Sequence, residues 1–290
     1  MTRSAASGLL WGALGVLAFS FTVIFTRIAV ASLSPLFVGS GRAVVAAALA
    51  ALALAETRSR LPRGGQWMRL VVVAGGVVAG FPLLTSYALT VAPASHGAVV
   101  IALLPAATAV AAVLRAGERP GWRFWLLTAA GAVAATVFAV IGGGWGGFHW
   151  SDLLLLGAVV AAAIGYAEGA LLARELGSWQ TISWALVVAA PVMVALTAAA
   201  AVADPPAATP GQWAAFGYLA VVSMFLGFFA WYRGLSIGPI TRVSQLQLVQ
   251  PVLSIVWAAL ILGEPLTWAT VLGGAAVILC AAGAVRSRTR

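Results

Sequence analysis

Apolar stretches of about twenty residues, separated by short breaks rich in Pro, Gly and charge, follow one another along the whole chain. A helix that crosses the hydrocarbon core of a bilayer needs about 20 apolar residues. Ten such stretches fit the sequence, and ten helices use roughly 200 of the 290 residues. Little is left for a separate soluble domain. The predicted spans are 8–26, 34–55, 68–91, 95–115, 122–141, 152–173, 180–202, 212–233, 240–262 and 266–285.

The stretches are too long, and alternate too little, for the strands of a membrane barrel. Backbone groups in lipid must bond internally, so helices remain as the spanning structure. We therefore predict an all-α membrane protein with ten transmembrane helices. Because 62% of the residues are hydrophobic and only 8% are charged, a water-soluble enzyme and a disulfide scaffold are excluded. The single cysteine, Cys280, can form no intrachain disulfide.

The chain has a formal net charge of +9. Its 16 positively charged residues are all arginines. They are spread over short breaks between spans, which is typical of membrane orientation signals and not of a nucleic-acid surface. Fourteen fall on one side if both termini are cytoplasmic, and Asp152, Asp204, Glu264 and Arg27 mark the other side. We expect cytoplasmic termini, the lipid bilayer as partner, and no nucleic acid.

A repeat of 146 residues links the two halves of the chain. This offset places Pro93 on Pro239, Pro105 on Pro251, Gly117 on Gly263, Glu118 on Glu264 and Trp122 on Trp268. We predict two five-helix repeats, 1–145 and 146–290, joined by a flexible Gly-rich connector at 142–147. Because five is odd, the repeats enter the membrane from opposite sides. Inverted repeats are the geometric basis of alternating access in secondary transporters.

Several of these features resemble a known family. They are the Gly117-Glu118 and Gly263-Glu264 pairs, the 35–42 opening of the second span, and the proline turns at Pro105 and Pro251. They are similar to the EamA-type drug/metabolite transporter superfamily. Within it the chain is most similar to YddG-type aromatic amino acid exporters, with threonine/homoserine and cysteine-metabolite exporters close behind. The resemblance implies export across a bacterial inner membrane.

Ionisable groups at membrane depth are candidate site residues because they are costly there. Arg42 lies deep in the second span, where it either docks a substrate carboxylate or links helices through backbone carbonyls. Glu168, near the inner end of the sixth span, either pairs with Arg174 or Arg233 or carries a coupling proton. His96 opens the fourth span, where it either contacts substrate or bonds the helix end.

The ninth predicted span carries a polar stripe at helical spacing. Its members are Ser244, Gln247, Pro251 and Ser254, widened by Gln245 and Gln250. Unpaired amides in hydrocarbon cost several kcal/mol, so this stripe is expected to face an aqueous cavity. Gln can both donate to a carboxylate and accept from an ammonium. The alternative is that the amides hold neighbouring helices together.

Pro105 and Pro251 occupy matching places in the two repeats. Each removes a backbone hydrogen bond, so we predict hinges there. The cavity is expected between the third, fourth, eighth and ninth spans, with the first and sixth contributing. Its candidate aromatic walls are Phe19, Tyr87, Tyr166, Trp231, Tyr232 and Trp257.

We therefore expect an inner-membrane exporter of neutral and aromatic amino acids with broad specificity. Facilitated diffusion and proton exchange are both compatible with the sequence. The alternative cargo is a lipophilic cation, drug or other small metabolite. No catalytic constellation, metal site or organic cofactor is implied. Four GxxxG matches fit packing within a monomer as well as a weak homo-oligomer.

Overall fold

The computed structural model describes residues 3–143 and 150–263, together with isolated positions between 268 and 283. Within these ranges every regular element is helical and there is no β-strand. The predicted all-α class is therefore confirmed. The tenth predicted span, 266–285, lies mostly outside the described residues, so the count of ten stays a prediction. The α-helices are α1 Arg3–Ser20, α2 Thr22–Ala29, α3 Pro35–Glu56, α4 Gln66–Val73, α5 Phe81–Val91, α6 Ala94–Ile101, α7 Leu104–Ala116, α8 Trp122–Gly143, α9 Trp150–Leu176, α10 Ser178–Ala203, α11 Pro210–Tyr218, α12 Gly227–Ile237, α13 Ile240–Ser244 and α14 Gln250–Leu262.

Seven continuous helical stretches in the described part are long and apolar enough to cross a membrane. The fourth predicted span is divided instead into the short helices α6 and α7, and α8 follows with 22 residues. The seven spans are Ser7–Ala29, Pro35–Glu56, Gln66–Val91, Trp150–Leu176, Ser178–Ala203, Pro210–Ile237 and Ile240–Leu262.

Two of the helix interruptions come just before proline. The chain turns between Ile101 and Leu104, and α7 then begins with Pro105 in its first turn. In the ninth span a 3₁₀ segment, Gln245–Val249, precedes α14, which has Pro251 in its first turn. Proline lacks the amide hydrogen and suits the first turn of a helix, where that hydrogen has no intrahelical partner. The hinge role of both prolines stays a prediction.

Other backbone features recur between the two halves. π-Helical segments occupy Ala74–Gly80 and Leu219–Leu226. The helices α7 and α14 both end at a left-handed glycine, with φ of 66° at Gly117 and 71° at Gly263. Only glycine adopts this conformation without steric cost. A repeat of 146 residues accounts for both recurrences, while the opposite orientation of the halves stays a prediction.

Glycines let neighbouring helices meet backbone to backbone. A Cβ atom on Gly234 would lie 2.7 Å from the Gly12 nitrogen and 2.8 Å from the Gly8 oxygen. A Cβ atom on Gly76 would lie 2.4 Å from the Ala161 oxygen and 3.0 Å from the Cα of Gly165. The small-residue motifs therefore bring α1 against α12, and the third span against α9, within one chain.

Candidate functional site

A cavity lies inside the helix bundle and is partly open at its margin; its non-atom space, open solvent included, is ≈ 410 Å³. Its walls come from helices that are far apart in sequence, including α1, α2, α3, α7, α9 and α14. The third and eighth spans contribute residues in or beside their π-helical segments. The lining residues are Phe19, Thr22, Arg42, Val77, Phe81, Leu104, Ala162, Tyr166, Ser223, Met224, Phe228 and Gln250.

Among the described residues, Arg42 is the only charged one that lines this cavity. Its side chain is buried, with 1% of the residue exposed. Ser34 starts α3 by accepting the Phe37 backbone N–H at 3.3 Å, and Pro35 follows in the first turn, so Arg42 comes two turns into the helix. Neither Nε nor Nη2 of Arg42 has a hydrogen-bond partner among the described residues. Burying a guanidinium with two unpaired nitrogens is costly, and an anion or polar acceptor beside it would lower that cost.

The rest of the cavity combines aromatic rings with the uncharged polar side chains of Thr22, Ser223 and Gln250. The Thr22 and Ser223 hydroxyls share a hydrogen bond of 2.8 Å, in which either can donate. The Phe19 and Phe228 rings lie 5.0 Å apart, and the Tyr166 ring lies 6.0 Å from Phe228. Aromatic rings of this kind can pack against apolar or aromatic groups of a bound molecule. No carboxylate belongs to the lining formed by the described residues.

Metal ligation is a separate question from anion binding. The described part of the chain contains no cluster of three or more His, Cys, Asp or Glu side chains that could hold a metal ion.

The first span is interrupted beside the cavity, and side chains from other spans bond its carbonyls there. The break falls at Phe21, between α1 and α2. The carbonyls of Ala18, Phe19 and Ser20 accept hydrogen bonds from Tyr218 at 3.0 Å, Gln250 at 3.4 Å and Ser254 at 2.7 Å, respectively. Trp257 also donates its indole N–H to the Ser20 hydroxyl at 2.9 Å. These bonds satisfy carbonyl groups that a broken helix would otherwise leave unpaired.

The predicted site residues separate into two groups. Arg42, Tyr166 and Gln250 line the cavity, as does the predicted aromatic wall residue Phe19. The polar residues of the predicted stripe are all buried in the bundle: Ser244, Gln245, Gln247, Gln250 and Ser254.

The other predicted residues lie away from the cavity lining. Tyr87 is 39% exposed, and Tyr232 donates to the Gly165 carbonyl at 3.1 Å. Ser244 donates to the Thr241 carbonyl at 3.0 Å. Ser254 and Trp257 form hydrogen bonds to Ser20 of the first span instead. The buried Trp231 and Gln247 lie next to Tyr166. The side chain of His96 lies outside the described residues, so its role stays a prediction.

Glu168 has partners other than the two that the sequence suggested. It accepts hydrogen bonds from Arg69 and, at 2.9 Å, from Nε of Arg115. Arg174 instead donates to the Gly238 carbonyl at 3.3 Å. The predicted pairing of Glu168 with Arg174 or Arg233 is therefore wrong. Arg69 and Arg115, which are distant from it in sequence, approach the buried face of α9 instead. Glu168 thus ties α4, α7 and α9 together.

Sequence reasoning missed the hydroxyl pair Thr22 and Ser223 and the ring of Phe228. Ser223 does carry a signal, because it is a lone hydroxyl in the middle of an apolar span. Thr22 follows Ser20 in the first span, but nothing local indicates that this helix breaks between them. The pairing spans 201 residues and therefore depends on the fold.

These helices and this partly open cavity define a multi-pass membrane protein of the transporter class. The sequence profile of the EamA-like transporter family matches residues 6–140 and 149–286. The chain belongs to this family. It is 44% identical to "Uncharacterized transporter YdeK" of Bacillus subtilis (strain 168) over 292 residues, which covers 98% of this chain and 99% of that protein. A crystal structure that is 20% identical covers 96% of each chain with a TM-score of 0.75, which is a likeness of fold alone.

Proposed function

We propose that this transporter exports amino acids, neutral and aromatic ones, with broad specificity. Arg42 would bind the substrate carboxylate, and the aromatic walls of the cavity would cover the side chain. Phe19, Tyr166 and Phe228 suit apolar and aromatic side chains of different size. A YddG-like preference for aromatic amino acids is part of this proposal.

The observation that carries the proposal is the buried guanidinium of Arg42, which faces the cavity without a protein partner for Nε or Nη2 within the described chain. If Arg42 only linked helices, its donors would be expected to reach backbone carbonyls, as those of Arg27 reach the Leu89 and Thr90 carbonyls at 2.9 and 3.1 Å. A carboxylate offers two acceptor oxygens in the geometry that a guanidinium fork matches.

Export of a lipophilic cation or drug is less well supported. A cationic cargo needs an anionic or strongly electron-rich site, and the described lining holds Arg42 and no carboxylate. The carboxylate of Glu168 is already engaged by two arginines. A cation in this cavity would therefore meet net repulsion.

For the mechanism, we propose that the segments 1–145 and 146–290 act as inverted repeats that rock around the cavity. Both termini would lie in the cytoplasm, and the membrane would be the bacterial inner membrane. The interrupted helices α6–α7 and α13–α14 would supply the hinges at Pro105 and Pro251. Because Glu168 is held in an ion pair, diffusion down a cytoplasmic excess of substrate is the simpler mode of transport.

Purified protein in liposomes tests the proposal directly. Vesicles loaded with unlabelled threonine, methionine or tryptophan should accumulate the same labelled amino acid by counterflow, and Arg42→Gln should abolish it. A labelled quaternary amine should not accumulate. Counterflow of the amine but of none of the amino acids would reject the proposed cargo. Counterflow that disappears when a pH gradient is removed would reject the diffusive mode.

A further inference from the structure

A second group of buried polar atoms lies next to the cavity, and the carboxylate of an amino acid does not account for it. Neither amide atom of Gln247 makes a hydrogen bond in the part of the chain that is described, and neither does the indole nitrogen of Trp231. Both side chains are almost completely buried. Buried polar atoms without partners are rare in proteins, so these need an explanation.

Tyr166 separates this group from the cavity. Its ring lies 5.5 Å from the ring of Trp231, and its hydroxyl lies near the Gln247 amide but outside normal hydrogen-bonding geometry. Tyr166 is itself part of the cavity lining, together with Arg42. Tyr166 is therefore shared by the cavity that Arg42 faces and by the buried group at Gln247.

The local backbone explains why Gln247 points into the bundle. It belongs to the 3₁₀ segment Gln245–Val249, which replaces a regular helical turn before Pro251. A methyl carbon of the preceding residue, Leu246, lies close to Gly12, and the Trp231 ring lies there as well. The amide is buried there without a hydrogen bond of its own among the described residues.

The chemistry of these atoms complements that of Arg42. A guanidinium offers only donors, so it cannot bind an ammonium group. The amide oxygen of Gln247 and the hydroxyl oxygen of Tyr166 are acceptors, and an ammonium presents three donors. We propose that Gln247 and the Tyr166 hydroxyl bind the α-amino group of the zwitterionic amino acid whose carboxylate Arg42 binds. This subsite rests on the proposed function and names its ligand class: α-amino acids, in preference to carboxylates without an amine.

Two probes that differ only in the amine test the subsite. Phenylalanine and 3-phenylpropionate share the ring and the carboxylate, and both can be measured by counterflow in the same liposomes. Wild-type protein should transport phenylalanine faster at low concentration. Gln247→Leu should lower phenylalanine transport about tenfold, because a hydrogen bond to a charged group is lost. Transport of 3-phenylpropionate should stay within about twofold of wild type, since this probe never used the amide.

The ratio of the two rates does not depend on how much of the variant is folded. Gln247→Met, with an unbranched side chain of similar length, should give the same change in ratio. Gln245→Leu is the matched control, because the oxygen of this neighbouring buried amide already accepts a hydrogen bond from Thr128 at 3.2 Å, although its nitrogen has no partner among the described residues. It should leave the ratio unchanged.

The subsite would be overturned if Gln247→Leu lowered the transport of both probes equally, or if the wild-type protein transported both probes equally well. Carboxylate transport would still stand in either case. Transport of neither probe by the wild type would overturn the proposed function and the subsite with it.

Discussion

Arg115 donates from its Nε atom to a carboxylate oxygen of Glu168 at 2.9 Å, and this bond joins the end of α7 to a buried position on α9. The side chain of Glu168 is 2% exposed, whereas that of Arg115 is 56% exposed. Arg69 of α4 donates to the other oxygen of the same carboxylate and also pairs with Glu175. The arginine-rich end of the bundle is therefore closed by an ion network centred on one buried acid.

We predict that Glu168→Gln destabilises the protein, because it leaves two arginines beside a buried neutral amide. The melting temperature in detergent should fall. In a double-mutant cycle with Arg115→Gln, the coupling energy should be about 1–3 kcal/mol. Glu175→Gln serves as the control, since Glu175 also pairs with Arg69 but has a 41% exposed side chain; its effect should be small. Additive effects of Glu168→Gln and Arg115→Gln would show that the pair does not hold the helices together.

The second prediction concerns Glu118, which follows the left-handed Gly117 at the end of α7. Its two carboxylate oxygens accept the backbone N–H groups of Ile240 at 2.7 Å and Thr241 at 2.9 Å, so it caps the start of α13. Glu118→Ala should lower the free energy of unfolding by about 0.5–2 kcal/mol, the usual range for loss of a helix cap.

Glu118→Gln retains one acceptor oxygen, so its loss should be smaller than that of Glu118→Ala. Both can be measured by chemical unfolding in mixed micelles. Equal stability of Glu118→Ala and wild type would mean that water or another group caps α13 equally well.

The third prediction uses two adjacent glycines. A Cβ atom on Gly76 would meet the Ala161 oxygen at 2.4 Å, whereas a Cβ atom on Gly75 would meet nothing within 4 Å. Gly76→Ala should therefore push the third span away from α9 and cost about 1–3 kcal/mol. Gly75→Ala should be neutral or slightly stabilising, because Ala favours a helix over Gly by up to about 1 kcal/mol. Thermal unfolding of the two variants side by side checks this; similar melting temperatures would contradict the close approach.

Much of the fold could be predicted because lipid leaves few options. The apolar runs had to be helices, and Pro105 and Pro251 correctly marked two places where the helix is interrupted. The depth of Arg42 in its span, and hence its candidacy as a site residue, also followed from the chain alone.

What could not be predicted depends on residues distant in sequence. The break at Phe21 is marked by no proline or glycine, and the carbonyls beside it are bonded by Tyr218, Gln250 and Ser254 from the second half of the chain. The polar stripe of the ninth span was predicted to face one cavity. Its members instead divide between the cavity, the first span and the region behind Tyr166, because a 3₁₀ segment changes the helical phase within it.

The central claim is that Arg42 recognises a carboxylate, and competition by two ligands of equal shape tests it most directly. Phenylalanine and phenylalaninamide differ only at the carboxyl group, and each can compete against labelled phenylalanine in counterflow. The account predicts that the amide competes at least about tenfold more weakly than the acid with the wild-type protein. Equal competition by the acid and the amide in the wild type would contradict the account.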